Sequence, residues 1–306
     1  MQTIQNTLYV MTPNAYAHLD NATVRIDVER ETKLRVPLHH IGTLVCFGNV
    51  LISPALMHRL ADEGKSLVLL DNSGRFKARL EGPVSGNILL RQAQHQAASA
   101  GAVTLEHARA MIAGKLRNSR SVLQRGAREA SDAAEASTLG KTADALAASL
   151  RAARDATRRP PLDRFNALIS FLYAMLMNDC RSAIETVGLD PQLGFLHAVR
   201  PGRAALALDL QEEFRSILAD RLSLTLINRG QVGAADFDAR EGGAVMLNDS
   251  GRRAVVTAWQ ARKQEEVTHP LLESKVPLGL LPFVQARFLA RTLRGDMEGY
   301  LPFLAK

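Results

Sequence analysis

GLDPQLGFLHAVRPGRAALALDLQEEFR, residues 188–215, is the stretch on which the reading of the chain turns. Its second half has a helical pattern. Leu210, Phe214, Ile217, Leu218 and Leu222 recur on one face of a helix that the spacing predicts from Asp209 to about Asn228. Asp209 and Glu212 stand three apart and so point the same way. Pro191 and Gly194 interrupt the segment before it, which leaves His197 on a loop able to fold back over the helix start. One imidazole and two carboxylates brought together are a donor set for Mg²⁺ or Mn²⁺. The same two carboxylates fit a capping box as well, aspartate at the N-cap and glutamate at N3 satisfying orphan amides. A lone histidine is more often a hydrogen-bonded structural group than a ligand. Spacing alone leaves both readings open.

Working outward, an apolar helix is predicted from Phe165 to about Val187, with Phe165, Leu168, Phe171, Leu172, Met175 and Leu176 as core. Arg158-Arg159-Pro160-Pro161 ahead of it is the clearest break in the chain. Residues 130–157 are alanine-rich and read as a helix or helical hairpin. Before them, Thr104 is expected to cap a helix through about Arg128. That helix has apolar Ala108, Met111, Ile112, Leu116 and Leu123 beside basic Lys115, Arg117, Arg120, Arg125 and Arg128. The basic face suits phosphate contacts and equally suits a solvated helix surface. On the other side, 230–243 is a loop and 241–247 is extended. Asn248-Asp249-Ser250-Gly251 caps a helix containing Trp259, and a last helix runs over 280–294 to Gly295.

The N-terminal part changes character. Residues 7–11, 16–19, 23–28 and 43–47 are short β-branched or aromatic runs separated by turn formers. Ser53-Pro54 supplies an N-cap and a first-turn proline for a helix to about Gly64, and 66–70 pairs with 76–80 across Asp71-Asn72-Ser73-Gly74. The fold class is therefore α+β: a small β-rich domain over 1–85, then a larger all-α domain over 86–306.

The 306 residues are long enough for an ample core, and 46% hydrophobic with 23% charged residues describes a globular chain. Of the net charge of +7, only +1 falls in residues 1–85 and +6 in the remainder, so the positive excess travels with the candidate site. Cys46 and Cys180 are far apart and read as buried thiols of a reducing compartment. No signal layout and no membrane-length apolar run is present, which makes the expected location cytoplasmic and the expected partners non-membrane. P-loop, dinucleotide fingerprint and Ser/Cys–His hydrolase patterns are absent, which removes those enzyme classes.

GLDPxLGFLH, then PGR, then LALDLxEEFR resemble the core signature of the CRISPR-associated adaptation integrase, the first Cas endonuclease family, in its subtype I-C form. The similarity extends over NALISFLYAMLMNDC (166–180), EGGAVMLN (241–248), RKQEEVTHP (262–270) and VPLGLLPFVQAR (276–287). It covers most of residues 160–306, and the N-terminal third matches more loosely. The resemblance implies a metal-dependent DNA endonuclease and integrase of CRISPR-based antiviral defence. Such a protein works as a homodimer with the small second Cas adaptation protein and inserts short duplex DNA by transesterification. Carried over by motif, His197 and Glu212 are Mg²⁺ or Mn²⁺ ligands and Asp209 is the adjoining acidic residue of the catalytic set. By location, Arg200, Arg203, Arg158 and Arg159 are expected to contact DNA. Dimerisation is expected through residues 1–85.

The chain departs from the family in one place. The family needs a further glutamate in a G-x-E-G-like helix start ahead of the RRPP element. Here 129–160 holds only Glu129 and Glu135, neither followed by glycine. The chain passes almost directly from 142–154 to Arg158, lacking an internal segment. Two readings follow: a working integrase, or a catalytically impaired member that serves as a DNA-binding and partner-binding scaffold. An unrelated helical enzyme with a capping box at Asp209 is the third.

Overall fold

The computed structural model describes residues 6–82, 88–130, 132–148, 163–239 and 243–305. Eight strands and one helix come first: β1 Asn6–Val10, β2 Tyr16–Asp20, β3 Thr23–Val28, β4 Glu31–Pro37, β5 Ile41–Phe47, β6 Leu51–Ile52, α1 Pro54–Asp62, β7 Ser66–Leu70 and β8 Phe76–Leu80. They form two four-stranded sheets, β1-β5-β7-β8 and β4-β3-β2-β6. In the first, β1, β5 and β7 run parallel and β8 returns antiparallel. The expected α1 is present, with Ser53 Oγ accepting from the Leu56 amide. Strand β4 was not anticipated. Its residues are almost all exposed, so it carries no alternating signal.

The first sheet is buried on both faces, as a parallel sheet requires. Leu44, Cys46 and Leu67 face the second sheet and α1 in one core. Val45, Phe47, Val68 and Leu70 face the other way and join the core of the helical part. Phe47 stacks on Phe171 there, ring centroids 6.0 Å apart. Both cysteines are buried free thiols, and burial pushes Cys46 up to about 12.

The larger part contains α2 Ile88–Ser99, α3 Gly101–Glu129, α4 Ala133–Ala148, α5 Arg164–Thr186, α6 Ala205–Glu212, α7 Arg221–Asn228, α8 Asp249–Gln264 and α9 Leu281–Leu293. Two hairpins interrupt it: β9 Phe237–Ala239 with β10 Val245–Leu247, and β11 Glu266–His269 with β12 Ser274–Pro277. Thr104 does not cap α3. It lies inside that helix, its hydroxyl donating to the Ala97 and Ala98 carbonyls of the preceding helix. The buried line of α3 is His107, Met111, Gly114 and Asn118: Met111 is core as expected, whereas Ala108, Ile112, Leu116 and Leu123 are only half-buried and polar or small residues take the other buried positions. Phe165 is exposed on the first turn of α5, whereas Leu168, Phe171, Leu172, Met175 and Leu176 are core as expected. Among the described residues no helix is long and apolar enough to cross a membrane.

Candidate metal centre

The 188–215 stretch folds as a cap on α5, a loop and a helix. Gly188, at φ +86°, ends α5 by letting the Leu189 amide reach the Ile184 carbonyl. The loop that follows is held from below by Gln94 of α2. Its Nε2 donates to the Asp190 and Leu193 carbonyls at 2.8 and 2.9 Å, and its Oε1 accepts from the Asp190 amide at 2.8 Å. Arg200-Pro201-Gly202-Arg203 closes the loop in a turn, with Gly202 at φ +72° and the Arg203 amide donating to the Arg200 carbonyl at 3.0 Å.

Helix α6 begins at Ala205, four residues before Asp209. Its first amides are met by the Pro191 carbonyl, which accepts from Leu206 at 2.9 Å. Asp209 is therefore interior to the helix, and the capping-box reading does not hold. Its carboxylate, fully buried, turns to the loop instead. Oδ2 accepts from the amides of Phe195 and Leu196 at 2.6 and 3.0 Å, and Oδ1 from the His197 amide at 2.8 Å. Oδ1 also lies 2.7 Å from His197 Nδ1. Gly194 is what permits the approach, because a Cβ there would stand 2.5 Å from Asp209 Oδ2.

With Nδ1 engaged by Asp209, the Nε2 of His197 faces Glu212, 3.9 Å from Oε1. Glu212 ends α6 and is 3% exposed. Arg215 Nη1 stands 3.1 Å from Oε1. Oε2 has no aligned hydrogen-bond donor, although the Lys115 ammonium of α3 stands 2.8 Å away. Beyond Glu212 the helix widens into a π-helical turn over Arg215–Asp220 before α7 resumes, a feature that recurs at functional sites. Arg215 lies over the Tyr173 ring at 4.8 Å, and the Tyr173 hydroxyl donates to Asp220 Oδ1 at 2.7 Å.

Burial pushes the Asp220 carboxyl up to about 6. The folded chain thus holds this proton more tightly than the unfolded chain. The stabilisation is complete below the ordinary aspartate range and is lost as pH rises through about 6. Denaturant unfolding at pH 4 and pH 7 should therefore show wild type losing about 2–3 kcal/mol more than Asp220→Asn over that interval. Equal losses would contradict it.

A family model described as "CRISPR associated protein Cas1" matches residues 8–157 and 153–261. The chain belongs to the Cas1 family. Over 341 aligned positions it is 51% identical to the CRISPR-associated endonuclease Cas1 1 of Moorella thermoacetica, with 99% of each chain covered. Its fold is similar to that of a casposase bound to integration product (22% identity, TM-score 0.79, covering 96% of this chain and 92% of that one). It is also similar to a chain of a Cas6-RT-Cas1–Cas2 complex (19% identity, TM-score 0.74, 100% of this chain and 37% of that one).

In this Cas1 chain the structure brings His197, Asp209 and Glu212 together and keeps Arg200 and Arg203 on the same loop, Arg200 exposed and Arg203 half-buried. Arg158 and Arg159 lie outside the described residues. Among the described residues, no group of three or more His, Cys, Asp or Glu side chains is placed to hold a metal ion. Glu129 pairs with Arg125 at 2.8 Å on the exposed end of α3. Two contributors escaped the site as first read. Arg215 follows Glu212 by three residues, a helical spacing visible in the sequence. Lys115 was visible only as one member of a basic helix, since nothing local ties α3 to α6.

Proposed function

We propose that this Cas1 protein is a metal-dependent DNA endonuclease and integrase of CRISPR spacer acquisition, subtype I-C-like, in which His197 Nε2 and Glu212 hold one Mg²⁺ or Mn²⁺. The observation that carries the reading is the brace on His197. A carboxylate fixed by three loop amides holds Nδ1 and leaves Nε2 facing a second, buried carboxylate, the usual outer-shell arrangement of a histidine ligand. His197 Nε2 and Glu212 Oε1, 3.9 Å apart, are the donors that would hold a divalent ion as a two-residue site beside Lys115 and Arg215. Asp209 then acts through His197 rather than as a ligand, its acceptor positions being filled by N–H groups. When bound, the ion supplies charge neutralisation at the reacting phosphate and activation of the attacking hydroxyl. The chain's own contributions are to orient His197, to hold Glu212 between two cations, and to present Arg200 and Arg203 beside the site. Residues 1–85 supply the homodimer contact, and the partner is the small second Cas adaptation protein, a pairing supported by the Cas1–Cas2 complex of similar fold. Strand transfer of a labelled duplex into a CRISPR-repeat plasmid with Mn²⁺ tests the activity. DNA binding without any transfer would favour the scaffold reading.

Backbone charge rather than base readout dominates the DNA contact in this reading. Raising salt from 50 to 200 mM is expected to weaken duplex binding by roughly a hundredfold or more, similarly for unrelated sequences. Arg200→Ala should lower the log–log slope by about one. Fluorescence anisotropy across a salt series measures both, and a flat dependence would count against the site.

A further inference from the structure

The C-terminal end of the chain is tied by polar contacts into the turn that carries Glu212. Glu213, the next residue, is fully buried. Its carboxylate accepts from the Tyr300 hydroxyl, from the Phe303 amide at 2.9 Å and from Gln285 Nε2 at 3.2 Å. Its backbone carbonyl, at the point where α6 gives way to the π-helical turn, accepts from Asn118 Nδ2 at 2.8 Å. The same Asn118, fully buried on α3, donates to the Phe303 carbonyl at 2.8 Å and accepts from the Ala305 amide at 2.7 Å. Gly114, one turn earlier, leaves room for this approach: a Cβ there would stand 2.8 Å from Pro302 Cβ and 3.2 Å from Glu213 Cγ.

A buried carboxylate is a costly way to fill space, and an apolar side chain of similar volume would serve a core at least as well. Directional bonds are what the carboxylate adds. It fixes the backbone at Glu213 from three sides, and Glu212, sharing a peptide plane with it, inherits that direction toward His197. We propose that Glu213, with Asn118 and Tyr300, is a positioning residue for Glu212, and that residues 300–305 form a brace for the metal centre. The proposal rests on the reading of His197 and Glu212 as the metal-holding pair.

The test uses the full chain and two readouts: Mn²⁺ affinity by electron paramagnetic resonance, and the ¹⁵N shifts of the His197 ring without metal. Variants are Glu213→Ala, the milder Tyr300→Phe, Phe214→Leu as a buried apolar change in the same turn, and Glu212→Ala. Thermal melts identify a temperature at which each is folded. Glu213→Ala is expected to weaken Mn²⁺ binding about 10–100-fold and Tyr300→Phe several-fold, both moving the His197 shifts, as loss of an outer-shell support does. Phe214→Leu should lower the melting temperature while leaving affinity within about twofold and the shifts in place. Tyr300→Phe carries the test alone if Glu213→Ala fails to fold. Equal behaviour of Phe214→Leu and the Glu213 and Tyr300 variants overturns the brace. Unchanged Mn²⁺ binding in Glu212→Ala overturns the metal reading instead, and the metal-free shifts then decide the brace separately.

Discussion

Alanine at His197 or at Glu212 is expected to weaken Mn²⁺ binding by about a hundredfold or more and to abolish any strand transfer, while the two variants differ in stability. His197 is half-buried on a loop whose amides Asp209 still gathers after the imidazole is gone. Its loss should cost the fold less than about 1 kcal/mol. Glu212 is buried between Lys115 and Arg215, so its removal leaves two cations short of a partner and should cost about 1–3 kcal/mol. Asp209→Asn gives a third, distinct signature. An amide there presents N–H to N–H at the loop, so it should weaken Mn²⁺ binding by about 10–100-fold through a misplaced imidazole and lower the melting temperature as well. Calorimetric Mn²⁺ titration with melts alongside separates the three. If Asp209→Asn eliminated binding while the His197 ring stayed in place by ¹⁵N shifts, Asp209 would be a ligand after all.

The core face Leu210, Phe214, Ile217, Leu218 and Leu222 was legible in the sequence because apolar periodicity is a local signal, and each of these side chains is buried. The exact start of the helix was not legible. An aspartate followed three residues later by glutamate looks like a cap when the acceptor for the first amides is sought among neighbouring side chains. Here the acceptor is the carbonyl of Pro191, fifteen residues before Leu206, which returns to meet it only after a loop. Strand β4 escaped for a different reason: exposed on both faces, it has no period to detect. The polar line His107, Gly114 and Asn118 on α3 also has no apolar signature, because it meets a ring and the C-terminal backbone instead of a hydrophobic surface. Local pattern therefore found most of the elements, whereas the contacts that orient the site come from segments far apart in the chain, Gln94, Lys115 and residues 300–305 among them.

Grafting a glutamate-bearing helical segment ahead of Arg158 is expected to raise Mn²⁺ affinity by about 10–100-fold and to raise strand transfer with it. Two sequence observations place the graft. The two blocks of the family match meet at residues 153–157, and the alignment with the Moorella relative runs over 341 positions against the 306 residues of this chain. We propose that an internal segment is lacking there. The two-residue donor set is what such a loss would leave. A hard divalent ion binds through several oxygens, so one added carboxylate supplies both a ligand and a compensating charge beside Lys115 and Arg215. The same segment with glutamine in place of the glutamate separates the carboxylate from the added helix: it should restore length without restoring affinity. Tight Mn²⁺ binding and robust transfer by the ungrafted chain would show that no carboxylate is wanting. Glu129 would then have to leave its exposed pair with Arg125, which solvent screens, or Glu135 would supply the ligand, and Glu129→Gln and Glu135→Gln would identify which.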